Sequence, residues 1–419
     1  MVRKFEWYTE FVDLDYKPSK RDLICLFRVE PAKGISMKEA AGRVASESSV
    51  GTWTTLSKLP RRIQKIKARV FEIKGNYVRI AYPPDLFEPY NMPQILSSIA
   101  GNIFGMKAVK NLRLEDVWFP RKLAKSFKGP QFGIKGIRKV LRVKKRPILA
   151  SVPKPKVGFS AKEHAEVAYK VWKGGIDLVK DDENLASLSF NKFEKRVELL
   201  MKMREKVEKE TGEKKFALIN ITAGYREMEK RAKLVAEYGN EYVMVDIVTT
   251  GFAALQSIRE VCEDFKLAIH AHRAMHASFT RNKKHGISML VLAKFSRIVG
   301  VDQIHTGTAG IGKLESGKET ILINEFLRSE FYGIKRVFPV CSGGLHPGVL
   351  PQVMKTLGTD LVIQVGGGVF GHPKGAEKGA RAVRQAVEAY VAGVSLKKFA
   401  EDHEELKEAL EKWGFVRPR

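Results

Sequence analysis

The carboxy-terminal two-thirds of the chain repeats one unit: a short β-rich run that ends in polar or glycine residues, then an amphipathic helical stretch. The runs lie at 147–154, 175–182, 216–222, 242–248, 267–273, 301–308, 337–344 and 360–367. Ser160-Ala161-Lys162-Glu163 has the form of a capping box opening the helix after the first run, and Gly174 suits its stop. Eight strand-then-helix units in about 270 residues predict an α/β fold, a closed TIM (β/α)8 barrel. No low-complexity tract or long linker interrupts the repeat.

The amino-terminal part reads differently. Leu23–Val29 is β-like, and Ser36-Met37-Lys38-Glu39 is a second capping box, opening a helix to about Glu47. Two runs, Ala68–Ile73 and Tyr77–Ala81, flank Gly75-Asn76 as a hairpin. Pro93–Phe104 reads as helix and Val109–Trp118 as strand. The order βαββαβ predicts a ferredoxin-like α+β domain over 1–128, preceding a barrel over 129–419. A basic stretch, Arg138–Arg146, sits near the join.

Active sites of such barrels gather at the carboxy-terminal ends of the strands. Here those ends carry Lys154 and Lys156, then Lys180, Asp181, Asp182 and Glu183, then His270, His272 and Arg273, His305, Ser342-Gly343-Gly344 and Gly366-Gly367-Gly368. In Lys180–Glu183, side chains two apart on a strand share a face. Two carboxylates suit Mg²⁺, and a lysine beside them suits it only as a carbamate formed with CO₂. The alternative is a solvated acidic turn with Lys180 in a salt bridge. Lys154 and Lys156 share a face by the same spacing, and are either a base with a cationic neighbour or a charged strand exit. The histidines of 270–276 fit a metal site, an acid–base role beside a phosphate-binding Arg273, or plain packing. Gly307–Lys313 resembles a P-loop, but Leu314 stands where Ser or Thr should follow. It reads instead as a mobile loop presenting Lys313. Gly366–Gly371 fits G-x-G-x-x-G, but too little chain follows for a dinucleotide fold, so its backbone N–H groups suit a phosphate.

Composition narrows the partners. Hydrophobic residues are 44% of the chain, enough for a sizeable core, and no apolar run approaches membrane-spanning length. No apolar signal stretch follows Met1, which makes the cytoplasm the expected location. Cys25, Cys262 and Cys341 are too scattered for a disulfide framework or a zinc ribbon. Lys plus Arg is 74 against 47 Asp plus Glu, a net charge of +27. That excess suits nucleic acid, an acidic membrane or a polyanionic small substrate. No basic-aromatic module or zinc motif accompanies it, so a solvated Lys-rich surface is expected, with no nucleic-acid and no membrane partner. Few amides and many lysines fit a thermophile.

Several stretches together resemble one family. They are Glu47-Ser48-Ser49-Val50-Gly51-Thr52-Trp53, Gly101-Asn102-Ile103-Phe104-Gly105, Lys154-Pro155-Lys156, Gly175 to Asn184, His272 to His276, His305 to Lys313, Ser342-Gly343-Gly344 and Gly366-Gly367-Gly368. In this order they resemble the large subunit of ribulose-1,5-bisphosphate carboxylase/oxygenase over nearly the whole chain, and most of all its archaeal form III branch. The resemblance implies Mg²⁺-dependent carboxylation and oxygenation of ribulose 1,5-bisphosphate, giving two 3-phosphoglycerate on carboxylation, in salvage of nucleoside monophosphates such as AMP. It implies that CO₂ activates Lys180 as a carbamate, which holds Mg²⁺ with Asp182 and Glu183. Lys154 is then the base at C3 of the sugar, Lys156 supports it, His272 assists proton transfer and Lys313 closes over the added CO₂. Arg273, His305 and Ser342 hold one phosphate. Thr52, Trp53, Gly344, Gly366 and Gly367 hold the other, and Gly343 and Gln364 adjoin the substrate. Glu47 and Asn102 reach in from a neighbouring subunit, so a homodimer or an assembly of dimers with shared active sites is implied, with no small subunit. Val50 beside Gly51, Cys341 before Ser342, and a short stretch before Val337 depart from the usual pattern.

Two rivals share parts of this pattern. A RuBisCO-like enolase or isomerase keeps the fold but loses substrate contacts, whereas Lys154, Lys313, Glu47, Thr52, Trp53 and Asn102 are all present. A hydrolase with H-x-H and a carbamylated lysine has H-x-H opening the barrel; here it lies on the fifth run, after Lys180.

Overall fold

A computed structural model of the chain describes residues 6–54, 60–313 and 317–417. The residues directly after Met1 and Leu314 lie outside the described residues. The chain groups into two compact units, 1–128 with 275–299, and 129–274 with 300–419.

In the first unit, β1 (Leu23–Pro31), β2 (Arg69–Lys74), β3 (Tyr77–Tyr82), β4 (Val109–Trp118) and a two-residue β10 (Gly286–Ile287) form one sheet in the order β10-β4-β1-β3-β2. The first four strands pair antiparallel in the ferredoxin-like order. The short β10 runs parallel to β4 and covers an edge that would otherwise offer unpaired backbone groups. Alternate residues of β1 (Leu23, Cys25, Phe27, Val29) are buried, as a sheet with one covered face requires. Lys74 pairs with Tyr77 across Gly75-Asn76, where Gly75 takes a positive φ of 57°.

Two expectations for this unit are corrected. The capping box at Ser36 forms only by half: Ser36 Oγ accepts from the Glu39 amide, while the Glu39 carboxylate turns to Arg43 at 2.7 Å. The helix expected over Pro93–Phe104 is shorter, running from Met92 to Ile99. Gly101 leaves the helical backbone (φ −90°, ψ −134°), and a 3₁₀ turn, Asn102–Gly105, follows.

In the second unit, β5 (Ile148–Ser151), β6 (Leu178–Lys180), β7 (Phe216–Asn220), β8 (Tyr242–Asp246), β9 (Ala268–His272), β11 (Gln303–His305), β12 (Phe338–Ser342) and β13 (Val362–Val365) close into a parallel barrel. Closure is made by β13 on β5, with Val362 opposite Ile148 and Val365 opposite Ser151. The capping box at Ser160 is complete and opens the helix Ala161–Lys173. The barrel interior is filled by every second residue of the strands: Ile148 and Ala150, Leu178, Phe216 and Leu218, Tyr242 and Met244, Ala268, Phe338 and Val340, and Val362. The helix Gly133–Leu141 adds Ile134, Ile137 and Leu141 to the same cluster. Within the basic stretch near the join, Arg146 makes a two-pronged pair with the buried Asp177 (2.6 and 2.7 Å), and Arg138 reaches Asp360 at 2.7 Å. Those two cations are absorbed by the fold. Among the described residues no helix is long and apolar enough to cross a membrane.

Candidate active site

The alternation that fills the barrel also builds the site. Carried two residues further along each strand, the inward positions are Lys180 after Leu178, Asn220 after Leu218 and Asp246 after Met244. His270 and His272 follow Ala268, Ser342 follows Val340 and Gln364 follows Val362. The apolar layers thus pass directly into a layer of polar groups at the carboxy-terminal end.

Lys180 ends β6 and is 1% exposed. Its Nζ donates to the Asp181 carbonyl at 2.9 Å and to Glu183 Oε2 at 3.3 Å. Burial lowers its pKa, and the carboxylates of Glu183, Asp182 and Asp246 recover only part of the shift. Of the solvated-turn alternative, the salt bridge is present, to Glu183, but Lys180, Asp181 and Asp182 are all buried rather than solvated. The pairing expected from strand spacing is corrected, because β6 stops at Lys180 and the chain turns: the contact is Lys180 with Glu183, while Asp182 faces Lys154 at 3.2 Å. Asn184 holds the other oxygen of Asp182 through its amide and its side chain. Burial would raise the Glu183 carboxyl, but the Lys180 and His272 charges outweigh it and bring it to about 2.

Asp181 points elsewhere. It accepts from Arg196 Nε at 3.1 Å and from the Asn220 amide at 3.0 Å, and His164 Nε2 stands 3.1 Å away. Lys154 and Lys156 both turn to the acidic loop, but not by the strand spacing expected. β5 ends at Ser151, so both lie on the loop beyond it and strand alternation does not govern them. Lys156, more exposed, stands 3.6 Å from Glu183.

Two residues absent from the sequence reading organise this rim. Asp246 accepts from His272 Nδ1 at 2.6 Å and so orients the ring, whose Nε2 faces Glu183 at 3.6 Å. Burial lowers the His272 pKa, Lys180 adds to this and Asp246 opposes it. Asn220 donates to the carbonyls of Glu183 and Leu185, both at 3.2 Å, and so clamps the acidic loop. The inward parity of β7 and β8 was the signal that could have found both. His270 is packed inside the barrel against His305, and His276 bonds Thr280 at 3.0 Å; among the described residues no group of three or more His, Cys, Asp or Glu could hold a metal ion.

Around the rim, His305 Nδ1 meets Ser342 Oγ at 2.8 Å. Arg273 is buried, and burial brings its pKa down to about 10 against the opposing pull of Glu319. The Gly307–Lys313 loop lies on the 342–344 turn: the Lys313 amide donates to the Gly343 carbonyl, and a Cβ on Gly312 would fall 2.0 Å from that oxygen. Lys313 itself is exposed. Gly366 stands against Val152 and the Lys154 side chain, while Gly367 faces open space. Gly367 begins a one-turn helix, Gly367–Phe370, and the long helix that follows, Ala376–Val391, starts only at Ala376. Gln364 Oε1 is buried without a partner among the described residues.

Glu47, Thr52, Trp53 and Asn102 belong to the first unit. Glu47 ends the helix Met37–Glu47, which packs on the turn opened by Asn102. Burial raises the Glu47 pKa. Thr52 accepts from Tyr8 through its carbonyl, and Trp53 is 73% exposed.

The donor set fits a hard divalent cation in one respect and falls short in another. Asp182 and Glu183 offer two carboxylates, but among the described residues no group of three or more His, Cys, Asp or Glu could hold a metal ion. A third oxygen donor would have to come from Lys180.

Residues 133–413 match the family described as ribulose bisphosphate carboxylase large chain, catalytic domain, and residues 10–123 match its N-terminal domain. The chain is 56% identical to the ribulose bisphosphate carboxylase of Pyrococcus abyssi, over 99% of each chain. It is 53% identical to that of Archaeoglobus fulgidus, over 100% of each. Among solved structures it resembles the octameric enzyme of Pyrococcus horikoshii in complex with sulfate (TM-score 0.95, 54% identity, 98% of each chain). It also resembles the dimeric archaeal Rubisco of Hyperthermus butylicus (TM-score 0.92, 52% identity, 98% of this chain and 100% of that one). A barrel whose polar layer sets a buried lysine beside two carboxylates, matched along its full length to these relatives, belongs to the ribulose bisphosphate carboxylase large-chain family.

Proposed function

We propose that the chain carboxylates, and also oxygenates, ribulose 1,5-bisphosphate, with carboxylation giving two 3-phosphoglycerate. The observation that carries this is Lys180, buried with a lowered pKa against Glu183 and close to Asp182. A neutral amine there adds to CO₂: the N–C bond forms, one C–O π bond opens and a proton leaves. The carbamate supplies the missing third oxygen, so Lys180, Asp182 and Glu183 would hold Mg²⁺. Bound Mg²⁺ supplies Lewis-acid stabilisation of an enediolate.

The other roles follow the chain's own groups. Lys154, set over Asp182 on the β5 loop, takes the C3 proton, and Lys156 lends positive potential. His272, whose Nδ1–H is held by Asp246, turns Nε2 as the acceptor that takes up a proton from the substrate oxygens and returns it. Arg273, a cation buried against the cost of desolvation, suits a phosphate, with His305 and Ser342 beside it. Gly343, Gly344, Gly366 and Gly367 offer backbone N–H groups, Gln364 an unsatisfied carbonyl, and Lys313 an exposed cation on the glycine-rich loop. Glu47, Asn102, Thr52 and the exposed Trp53 complete the site from a second copy of the chain, in a homodimer or an assembly of dimers without small subunits. We place the activity in the cytoplasm, in salvage of AMP ribose, on the resemblance to the archaeal form III branch.

Single-turnover conversion of ribulose bisphosphate and labelled CO₂ to labelled 3-phosphoglycerate tests the reading; absence of labelled product removes it. Lys154→Met should lower kcat by about 10²–10⁴-fold, the usual worth of a positioned base. Exchange of the C3 proton with solvent, followed by mass spectrometry, should fall with it.

A further inference from the structure

We propose that Gln303, held by Tyr242, is a positioning residue that fixes the tautomers of His270 and His305 and thereby the direction of the hydrogen bond at Ser342. Five side chains from four strands form one unbranched chain. Gln303 Nε2 donates to Tyr242 Oη at 2.7 Å, and Gln303 Oε1 faces His270 Nδ1 at 3.2 Å. His270 Nε2 faces His305 Nε2 at 2.9 Å, and His305 Nδ1 faces Ser342 Oγ at 2.8 Å. Tyr242, His270 and Gln303 are fully buried and His305 nearly so.

The direction follows from the inventory of donors. An amide has one donor end and one acceptor end. With the donor end spent on Tyr242, the carbonyl oxygen meets His270 and requires a proton on Nδ1. Both rings lie in the closed barrel interior, where burial lowers their pKa values well below the ordinary range, so each is neutral with a single N–H. His270 Nε2 is then an acceptor, and His305 must donate from Nε2. That leaves His305 Nδ1 as an acceptor for the Ser342 hydroxyl proton, and Ser342 turns its lone pairs outward. An amide turned end for end reverses every bond in the chain. One carboxamide, three bonds from Ser342, therefore sets whether that hydroxyl donates or accepts at the rim.

The tautomers are read without substrate, on the full-length protein labelled with [¹⁵N]histidine. Expected are a protonated Nδ1 on His270 and a protonated Nε2 on His305, assigned by loss of signal in His270→Asn and His305→Asn. The opposite pair of tautomers in the unsubstituted protein overturns the proposal. Gln303→Glu has only acceptors, so it should keep both tautomers; Gln303→Leu should scramble them. A leucine variant with unchanged tautomers overturns the proposal, and if that variant does not fold, the unsubstituted protein and Gln303→Glu still decide. A second arm rests on the carboxylase reading. Gln303→Leu should raise KM for ribulose bisphosphate about tenfold with kcat little changed, and Gln303→Glu should restore it. Scrambled tautomers with an unchanged KM overturn the link to substrate. Expected tautomers in a protein that forms no 3-phosphoglycerate would sink the carboxylase reading alone.

Discussion

Lys180→Ala abolishes both Mg²⁺-dependent retention of labelled CO₂ and carboxylation, the latter by at least about a thousandfold, roughly 4 kcal/mol of barrier. The size follows from what the residue replaces. Without it the site offers Asp182 and Glu183 alone, two carboxylates with no third donor among the described residues. The sign with pH follows from burial. Desolvation pulls the Lys180 pKa below that of a free lysine, against the pull of Glu183 and Asp182. The amine that reacts with CO₂ is the neutral form, so retention rises with pH and does so at lower pH than an exposed lysine would allow. Lys180→Arg keeps a cation, cannot form the carbamate and should be equally inactive. Trapped ¹⁴CO₂ per subunit with excess Mg²⁺ measures the first effect and labelled product the second. An active alanine variant that binds Mg²⁺ removes the carbamate from the site.

Asp181→Ala destabilises the fold by about 3–5 kcal/mol, the cost of leaving a buried partner charge uncompensated. The charge left behind is Arg196, fully buried, which Asp181 meets at 3.1 Å. The same carboxylate fastens the Asn220 amide, and Asn220 in turn holds the loop of Glu183. Loss of Mg²⁺ affinity should therefore accompany loss of stability, although Asp181 does not face the site. Burial would raise its carboxyl; Arg196 and His164 outweigh it and hold it at about 2. The folded value lies below the unfolded value of about 3.9. The stabilisation is thus fully present above about pH 4 and is lost as the pH falls through about 2. Urea unfolding of Asp181→Ala and the unsubstituted protein at neutral pH and near pH 2 checks this. Equal midpoints at neutral pH would rule it out.

These two neighbours mark how far the sequence can be read. Lys180-Asp181-Asp182-Glu183 is visible as a reactive cluster at a strand end. Which of its acids face Lys154 and Lys180 and which faces Arg196 depends on where β6 stops, and a three-residue strand gives no local sign of that. For Lys154 and Lys156 the shared direction is present but not its reason: alternation holds only inside a strand, and β5 ends three residues before Lys154. In the amino-terminal unit the strands and the hairpin were legible from burial patterns, while β10 was not, because two residues carry no period.

The sequence by itself determined the eight-fold repeat, the (β/α)8 barrel it closes into, and which strand ends carry reactive groups, because these rest on local spacing of apolar and polar residues. Only the tertiary structure decided the partners: Asp246 for His272, Asn220 for the acidic loop, and the Tyr242–Gln303–His270–His305–Ser342 chain. Those contacts join residues 26 to 61 positions apart. They exist because barrel closure brings the inward faces of neighbouring strands within hydrogen-bonding distance, and no spacing along the chain encodes the register in which they meet.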